Sequence, residues 1–213
     1  MNDAFPLVSD APEHAFDPLD RDYAGFIFDC DGTLADSMPL HFKAWKTAFS
    51  TYGAPFNFTW ELFLQRAGKT LEVTVDELNV EFNTRLDRDA VTRIQRETYR
   101  KLLPKVGPVR PVLDFVRSIA GHYPMAVASG SDRSSVTTTL ASLAILDLFS
   151  VIVTGDDVAH GKPAPDMFLL AAERLGVPSD HCVVFEDSLL GIEAAERAGM
   201  GSVLVRRLLA PPI

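Results

Sequence analysis

The chain has 213 residues and a mass of 23.4 kDa, room for one large domain or for a domain that carries a smaller insertion. Apolar residues make up 47% and charged residues 23%, which excludes a disordered chain, and two cysteines are too few for a disulfide scaffold. Twenty basic residues against 29 acidic leave a formal charge of −9, and so acidic a surface repels phosphate backbones and anionic lipids, so neither nucleic acid nor a membrane is an expected partner.

Residues 1–21 hold three prolines and no hydrophobic period, and read as a flexible leader. They carry acids where a signal peptide needs a basic start and an apolar stretch. No apolar run approaches the ~18 residues that span a bilayer, so a cytoplasmic protein is expected. Tyr23–Asp29 is a short apolar run that ends in an acid, the pattern of a buried parallel strand with a polar tip. About 80 residues then pass without a convincing strand. His41, Trp45, Ala48, Phe49 and Tyr52 form one helical stripe, Pro39 suits its first turn, and further helices are expected near 59–66, 70–83 and 88–103. Residues 38–106 are therefore expected to be an inserted, all-helical cap. Residues 22–37 and 107–213 would form the core.

In that second core segment four more strands are expected, at Met125–Ser129, Val151–Gly155, Cys182–Asp187 and Ser202–Val205. Helical stripes precede each of them: Val112, Phe115, Val116 and Ile119; Val136, Leu140 and Leu143; Met167, Leu170, Ala171 and Leu175; Ile192, Ala195 and Ala198. Strands that alternate with helices predict an α/β fold with a Rossmann-like parallel sheet.

Such sheets bind ligands beyond the C-terminal ends of their strands, and here those ends are polar. The first carries Asp29-Cys30-Asp31-Gly32-Thr33, the second Ser129-Gly130-Ser131, the fourth Glu186-Asp187-Ser188, and the third leads through Asp156 and Asp157 to Gly161-Lys162-Pro163. Asp29 and Asp31, two apart in extended chain, point the same way. Carboxylates this close resist ionising together unless a cation joins them, and hard oxygen ligands select Mg²⁺. A lone pair of aspartates usually marks a turn. The further acids, the lysine and the Ser-Gly-Ser at equivalent strand ends set this pair apart.

Phe28-Asp29-Cys30-Asp31-Gly32-Thr33-Leu34 resembles the first motif of the haloacid dehalogenase superfamily, with Ser129, Lys162 and the Glu186-Asp187 pair matching the other three in order. The helical insertion resembles that of the subgroup holding β-phosphoglucomutase and small sugar-phosphate phosphatases. The stretches PMAVASGS, KPAPDMFLLAAERLGV and CVVFEDSLLGIEAAERAGM look most like the fructose-1-phosphate phosphatase type. The resemblance implies Asp29 as a nucleophile, Asp31 as general acid and base, and Lys162 as a positive charge between Asp29 and phosphate. It implies Ser129, Gly130 and Ser131 around the phosphoryl oxygens, and Mg²⁺ held by Asp29, the Asp31 carbonyl and Asp187 with Glu186 close by. The expected partner is a small phosphorylated metabolite, and nothing in the sequence specifies an oligomeric state.

His41, Trp45 and Lys69 are cap candidates for substrate contact, with core packing as the other reading of the first two and a solvated loop that of the third. A mutase of this subgroup carries an arginine where Leu71 stands and a basic residue near Gln95, so hydrolysis is favoured over a mutase. A retired enzyme scaffold that only binds is the third reading, and the intact motifs argue against it. Cys30 is expected to be buried, too far from Cys182 for a disulfide. The histidines at 14, 122, 160 and 181 show no zinc spacing. Asp156 and Asp157 are read either as a solvated turn or as helpers of Lys162.

Overall fold

Phe26 and Phe28 turn to one face of their strand and Ile27 to the other, and all three are fully buried. Strand β1 (Gly25–Phe28) must therefore lie inside a sheet covered on both sides. In the computed structural model, which describes residues 22–205, its neighbours are β2 (Met125–Ser129) and β4 (Cys182–Glu186), with β3 (Val151–Thr154) and β5 (Gly201–Leu204) outside them. The order is β3-β2-β1-β4-β5 and every pair is parallel. The leader expected over residues 1–21 lies outside the described residues.

The pleat assigns the helices to two layers. Phe26, Phe28, Val183 and Phe185 pack against Val112 and Val116 of α5 (Arg110–Ile119) and against Val136 and Leu140 of α6 (Arg133–Ser142). Ile27, Ala126 and Val184 pack on the opposite face against Met167 and Phe168 of α7 (Asp166–Leu175) and Ala194 and Ala195 of α8 (Leu189–Arg197). Phe168 was not on the predicted stripe of α7, yet it is fully buried while Leu170 and Leu175 are only partly so. Its ring lies under the ammonium of Lys162, 5.1 Å from centroid to Nζ, which ties the turn of α7 to the residue that enters it. The chain winds outward from β1 through β2 and β3, then restarts at β4 on the other side. The reversal between β1 and β4 is where such sheets open a crevice.

Four helices fill the stretch between β1 and α5: α1 (Met38–Tyr52), α2 (Trp60–Leu64), α3 (Leu71–Glu81) and α4 (Arg88–Leu102). The side chains of Thr59, Thr70 and Asp87 cap α2, α3 and α4 by accepting a backbone N–H. The single stripe expected of α1 is too narrow. Phe42, Trp45 and Phe49 pack with Phe58, Phe63 and Leu78 in one cluster, while Ala44 meets Tyr99 and Leu103 in another. A helix held between two neighbours buries more than one stripe. Tyr52, expected on that stripe, is 39% exposed, and its hydroxyl accepts the N–H of Asp87. Among the described residues no helix is long and apolar enough to cross a membrane.

Candidate active site

Where β1 ends, the N–H of Asp29 donates to the carbonyl of Phe185 at 2.9 Å, which holds it beside the tip of β4. Its Oδ1 accepts from Lys162 Nζ at 2.7 Å, and the same ammonium donates to Glu186 Oε2 at 2.7 Å and to the carbonyl of Ala128 at 3.3 Å. The Lys162 and Glu186 side chains are each 1% exposed. Glu186 Oε1 takes the N–H and hydroxyl of Ser188, so both its oxygens are engaged. Two glycines leave room for this acid pair. A Cβ at Gly191 would stand 2.1 Å from Glu186 Cδ, and one at Gly32, where φ is +96°, would stand 2.0 Å from Asp187 Oδ2. Gly191→Ala should therefore push the Glu186 carboxyl off its partners and cost about 1–3 kcal/mol, read by denaturant unfolding. An unchanged midpoint would mean that α8 moves aside freely.

Asp31 faces the other way, toward the insertion. Its Oδ1 accepts from Ser37 Oγ at 2.7 Å and Tyr99 OH at 3.2 Å, with His41 Nε2 at 3.1 Å, while Oδ2 accepts from Ser131 Oγ at 2.7 Å. His41 stacks on Tyr99, centroids 3.8 Å apart, and its Nδ1 lies 3.3 Å from Gln95 Nε2. One carboxylate thus joins β2's tip to α1 and α4. Sequence reasoning did not place Ser37, Gln95 or Tyr99 here. Only the packing of α1 on α4 brings Tyr99 to Asp31 and Gln95 to His41, and no local spacing signals it.

The two aspartates are pushed in opposite directions. Burial, then repulsion from Glu186, outweigh the attraction of Lys162 and raise Asp29 to about 8. Asp187 is raised well above the carboxylate range by burial and by Glu186 and Asp29. Burial also acts to raise Asp31, but attraction to His41 and hydrogen bonds from His41, Ser131 and Ser37 overcome it and hold the group well below the usual range. Burial disfavours the charged form of Lys162, yet Asp29 and Glu186 raise it above its ordinary value, so it stays charged.

Three carboxylates against one ammonium leave negative charge to be neutralised. Asp29 Oδ2 is buried with no hydrogen-bond partner among the described residues. Asp29, Glu186 and Asp187 each offer a ligand oxygen within 4.8 Å of the others. With Glu186 engaged, Asp29 and Asp187 are the acids left to face a cation. An all-oxygen donor set of this kind fits Mg²⁺.

These groups line a cavity of about 340 Å³ between the strand tips and the insertion. Ser129, Gly130 and Ser131 form its floor at β2, where the Ser131 N–H donates to Ser129 Oγ at 3.2 Å. The loop before α3 closes over it. Gly68 has φ +85° and a Cβ there would lie 3.0 Å from Ser188 Oγ; its carbonyl lies 3.4 Å from a Cβ built on Gly130. Trp45 edges the cavity but is 3% exposed and stacked on Phe49, so it serves as packing as well as wall. His41 and Lys69 line it too, and Lys69 is engaged by Glu77 at 2.5 Å. Asp156 lines it as well. Asp157 instead binds the N–H and hydroxyl of Thr154 and pairs with Arg133 and Arg174, an anchor for the turn after β3. Cys30 and Cys182 are buried and unpaired. Cys182 lies opposite Gly25 on β1, with Cys30 beyond the far end of that strand. His122, His160 and His181 are not among the residues that line the cavity, and His14 lies outside the described residues.

A parallel sheet with a helical insertion after its first strand, and with aspartates, a serine, a lysine and a second acid pair gathered from four strand ends, defines a haloacid dehalogenase-like hydrolase. The model of that family matches residues 26–205, and the chain belongs to it. Over 188 residues it is 42% identical to the fructose-1-phosphate phosphatase YqaB of Escherichia coli (strain K12), covering 87% of this chain and 98% of that protein. It is 34% identical over 178 residues to a phosphorylated carbohydrates phosphatase of Thermotoga maritima, covering 82% of this chain and 81% of the relative. The crystal structure of β-phosphoglucomutase from Clostridium difficile superposes with a TM-score of 0.77 at 21% identity, over 84% of this chain and 83% of that one, a likeness of fold.

Proposed function

We propose that the chain is a Mg²⁺-dependent phosphatase of small sugar phosphates that works through an aspartyl phosphate on Asp29. The observation that carries this reading is Asp29 itself: one oxygen held by Lys162, the other buried and without a partner among the described residues, beside the Ser129–Ser131 turn and on the wall of the cavity between the strand tips and the insertion. The relatives named as phosphatases of fructose 1-phosphate and of phosphorylated carbohydrates support the same substrate class.

Asp29 attacks phosphorus, the P–O bond to the sugar breaks, and the acyl phosphate is later cleaved by water. Lys162 orients Asp29 and keeps a positive charge beside the developing phosphoryl charge. The Ser129 hydroxyl and backbone N–H groups of Gly130 and Ser131 receive phosphoryl oxygens. Asp31 gives a proton to the leaving sugar oxygen and later takes one from water. Its resting state is ionised, so the first proton arrives with the monoanion of the substrate, whose second pKa is about 6. Mg²⁺ held by Asp29, the Asp31 carbonyl and Asp187 would neutralise their charge and that of the phosphoryl oxygens. The helices between β1 and α5 act as a cap that excludes bulk water and admits small substrates.

A panel of hexose, hexitol and glycolate phosphates, assayed for released phosphate with Mg²⁺ and again after chelation, tests the reading. Turnover that survives exhaustive chelation would end it. A mutase needs a grip on a second phosphate, and Leu71 supplies none; conversion of glucose 1-phosphate to glucose 6-phosphate without phosphate release would establish one. A binding-only scaffold would leave p-nitrophenyl phosphate intact.

The site also sets a pH dependence. Asp29 has a folded-state pKa of about 8, above its ordinary 3.8, so its neutral form favours the folded protein. That contribution is complete below pH 4 and is lost as pH rises through about 8; Asp187, shifted the same way, adds to it. Mg²⁺ competes with those protons. The rise in melting temperature on adding Mg²⁺ should therefore be small at pH 5.5 and grow toward pH 8. A Mg²⁺ effect that is flat with pH would remove the cation from this acid cluster.

A further inference from the structure

Among the described residues, the cavity wall carries seven carboxylate side chains but only three lysines or arginines: Arg66, Lys69 and Arg96. All three cations come from the insertion, and each is already matched. Arg66 pairs with Glu81 and Glu77, Lys69 with Glu77 at 2.5 Å, and Arg96 of α4 with Glu72 of α3 at 2.5 Å. Of the matching acids, only Glu72 itself lines the cavity. The wall facing the strand tips therefore presents a carboxylate and a guanidinium side by side, with Leu71 next to them, and, among the described residues, no uncommitted cation.

A free arginine or lysine is what recognises a phosphate. An acceptor held beside a planar donor suits a different group: a hydroxyl, which both donates and accepts. A second phosphate brought against Arg96 would meet the Glu72 carboxylate that already holds it, in a cavity that also carries Asp132 and Asp156. We infer that the Glu72–Arg96 pair is the specificity-determining element of the cap, reading the hydroxyls of a sugar that carries one phosphate and rejecting a sugar that carries two. This rests on the phosphatase reading above and narrows its substrate class.

The test compares kcat/KM for fructose 1-phosphate and fructose 1,6-bisphosphate, with p-nitrophenyl phosphate as a substrate that lacks sugar hydroxyls. Wild type should favour the monophosphate. Glu72→Gln frees Arg96 and should raise the bisphosphate-to-monophosphate ratio by about tenfold, through KM rather than kcat. Arg96→Gln removes the donor and leaves the Glu72 carboxylate unneutralised, so it should raise KM for both sugar phosphates, more for the bisphosphate, and lower that ratio further. A wild type that prefers the bisphosphate, or a ratio unmoved by Glu72→Gln, overturns this inference while the phosphatase reading stands. A wild type inactive on all three substrates overturns both.

Discussion

Asp29→Asn should yield a folded protein that releases phosphate about 10⁴-fold more slowly, or worse, because the nucleophile is lost while the site around it persists. Asparagine keeps the shape of the side chain. Lys162 keeps Glu186 as a partner at 2.7 Å. The fold should not suffer, because Asp29 is a strained anion: burial and Glu186 raise its pKa to about 8. Above that pH the metal-free variant should be at least as stable as wild type, since one of three crowded negative charges is gone. The melting shift produced by Mg²⁺ should shrink sharply, as one of the two acids free to face the cation has been neutralised. Phosphate release and thermal melts with and without Mg²⁺ give all three readings. Retention of more than about one hundredth of the rate would remove Asp29 as the nucleophile.

Lys162→Met has the opposite signature, with stability and activity falling together. Methionine fills much of the same volume but leaves Asp29, Glu186 and Asp187 without their ammonium. Removing one partner from a buried ion pair costs about 3–5 kcal/mol, and the 1% exposure of the Lys162 side chain puts it in that class. For a chain of this length that is a drop on the order of 10 °C in melting temperature. The loss should deepen as pH rises through about 8, where Asp29 ionises in the wild type, because Lys162 favours that ionised form and the variant has nothing to stabilise it. Adding Glu186→Gln should restore part of it, since the double variant no longer buries that charge, and the double-mutant cycle measures the coupling. A single variant that melts within about 2 °C of wild type would show that Lys162 is not what balances these acids.

Period-two and period-3.6 patterns set which residues lie on a strand tip or a helix face, and those are local properties. β2 spans the expected Met125–Ser129, the other strands fall within two residues of expectation, and Asp29, Ser129, Lys162 and the Glu186-Asp187 pair do converge. Rotation about a helix axis was less legible. Phe42 and Ala44 lie off the expected stripe of α1, because a helix with neighbours on two sides obeys both of them.

The sequence by itself therefore determined the class of fold, the insertion of helices after the first strand, and the chemistry pooled at the strand ends, since each follows from spacing along a few neighbouring residues. The tertiary structure alone decided how that chemistry is poised. It spends both oxygens of Glu186 and leaves Asp29 Oδ2 unpartnered among the described residues. It clamps Asp31 between Ser131 and Tyr99, partners 100 and 68 residues away, and it cancels Lys69 and Arg96 against Glu77 and Glu72. Charge pairing and pKa depend on distances of a few ångströms between elements remote along the chain. Only the packing of those elements sets such distances.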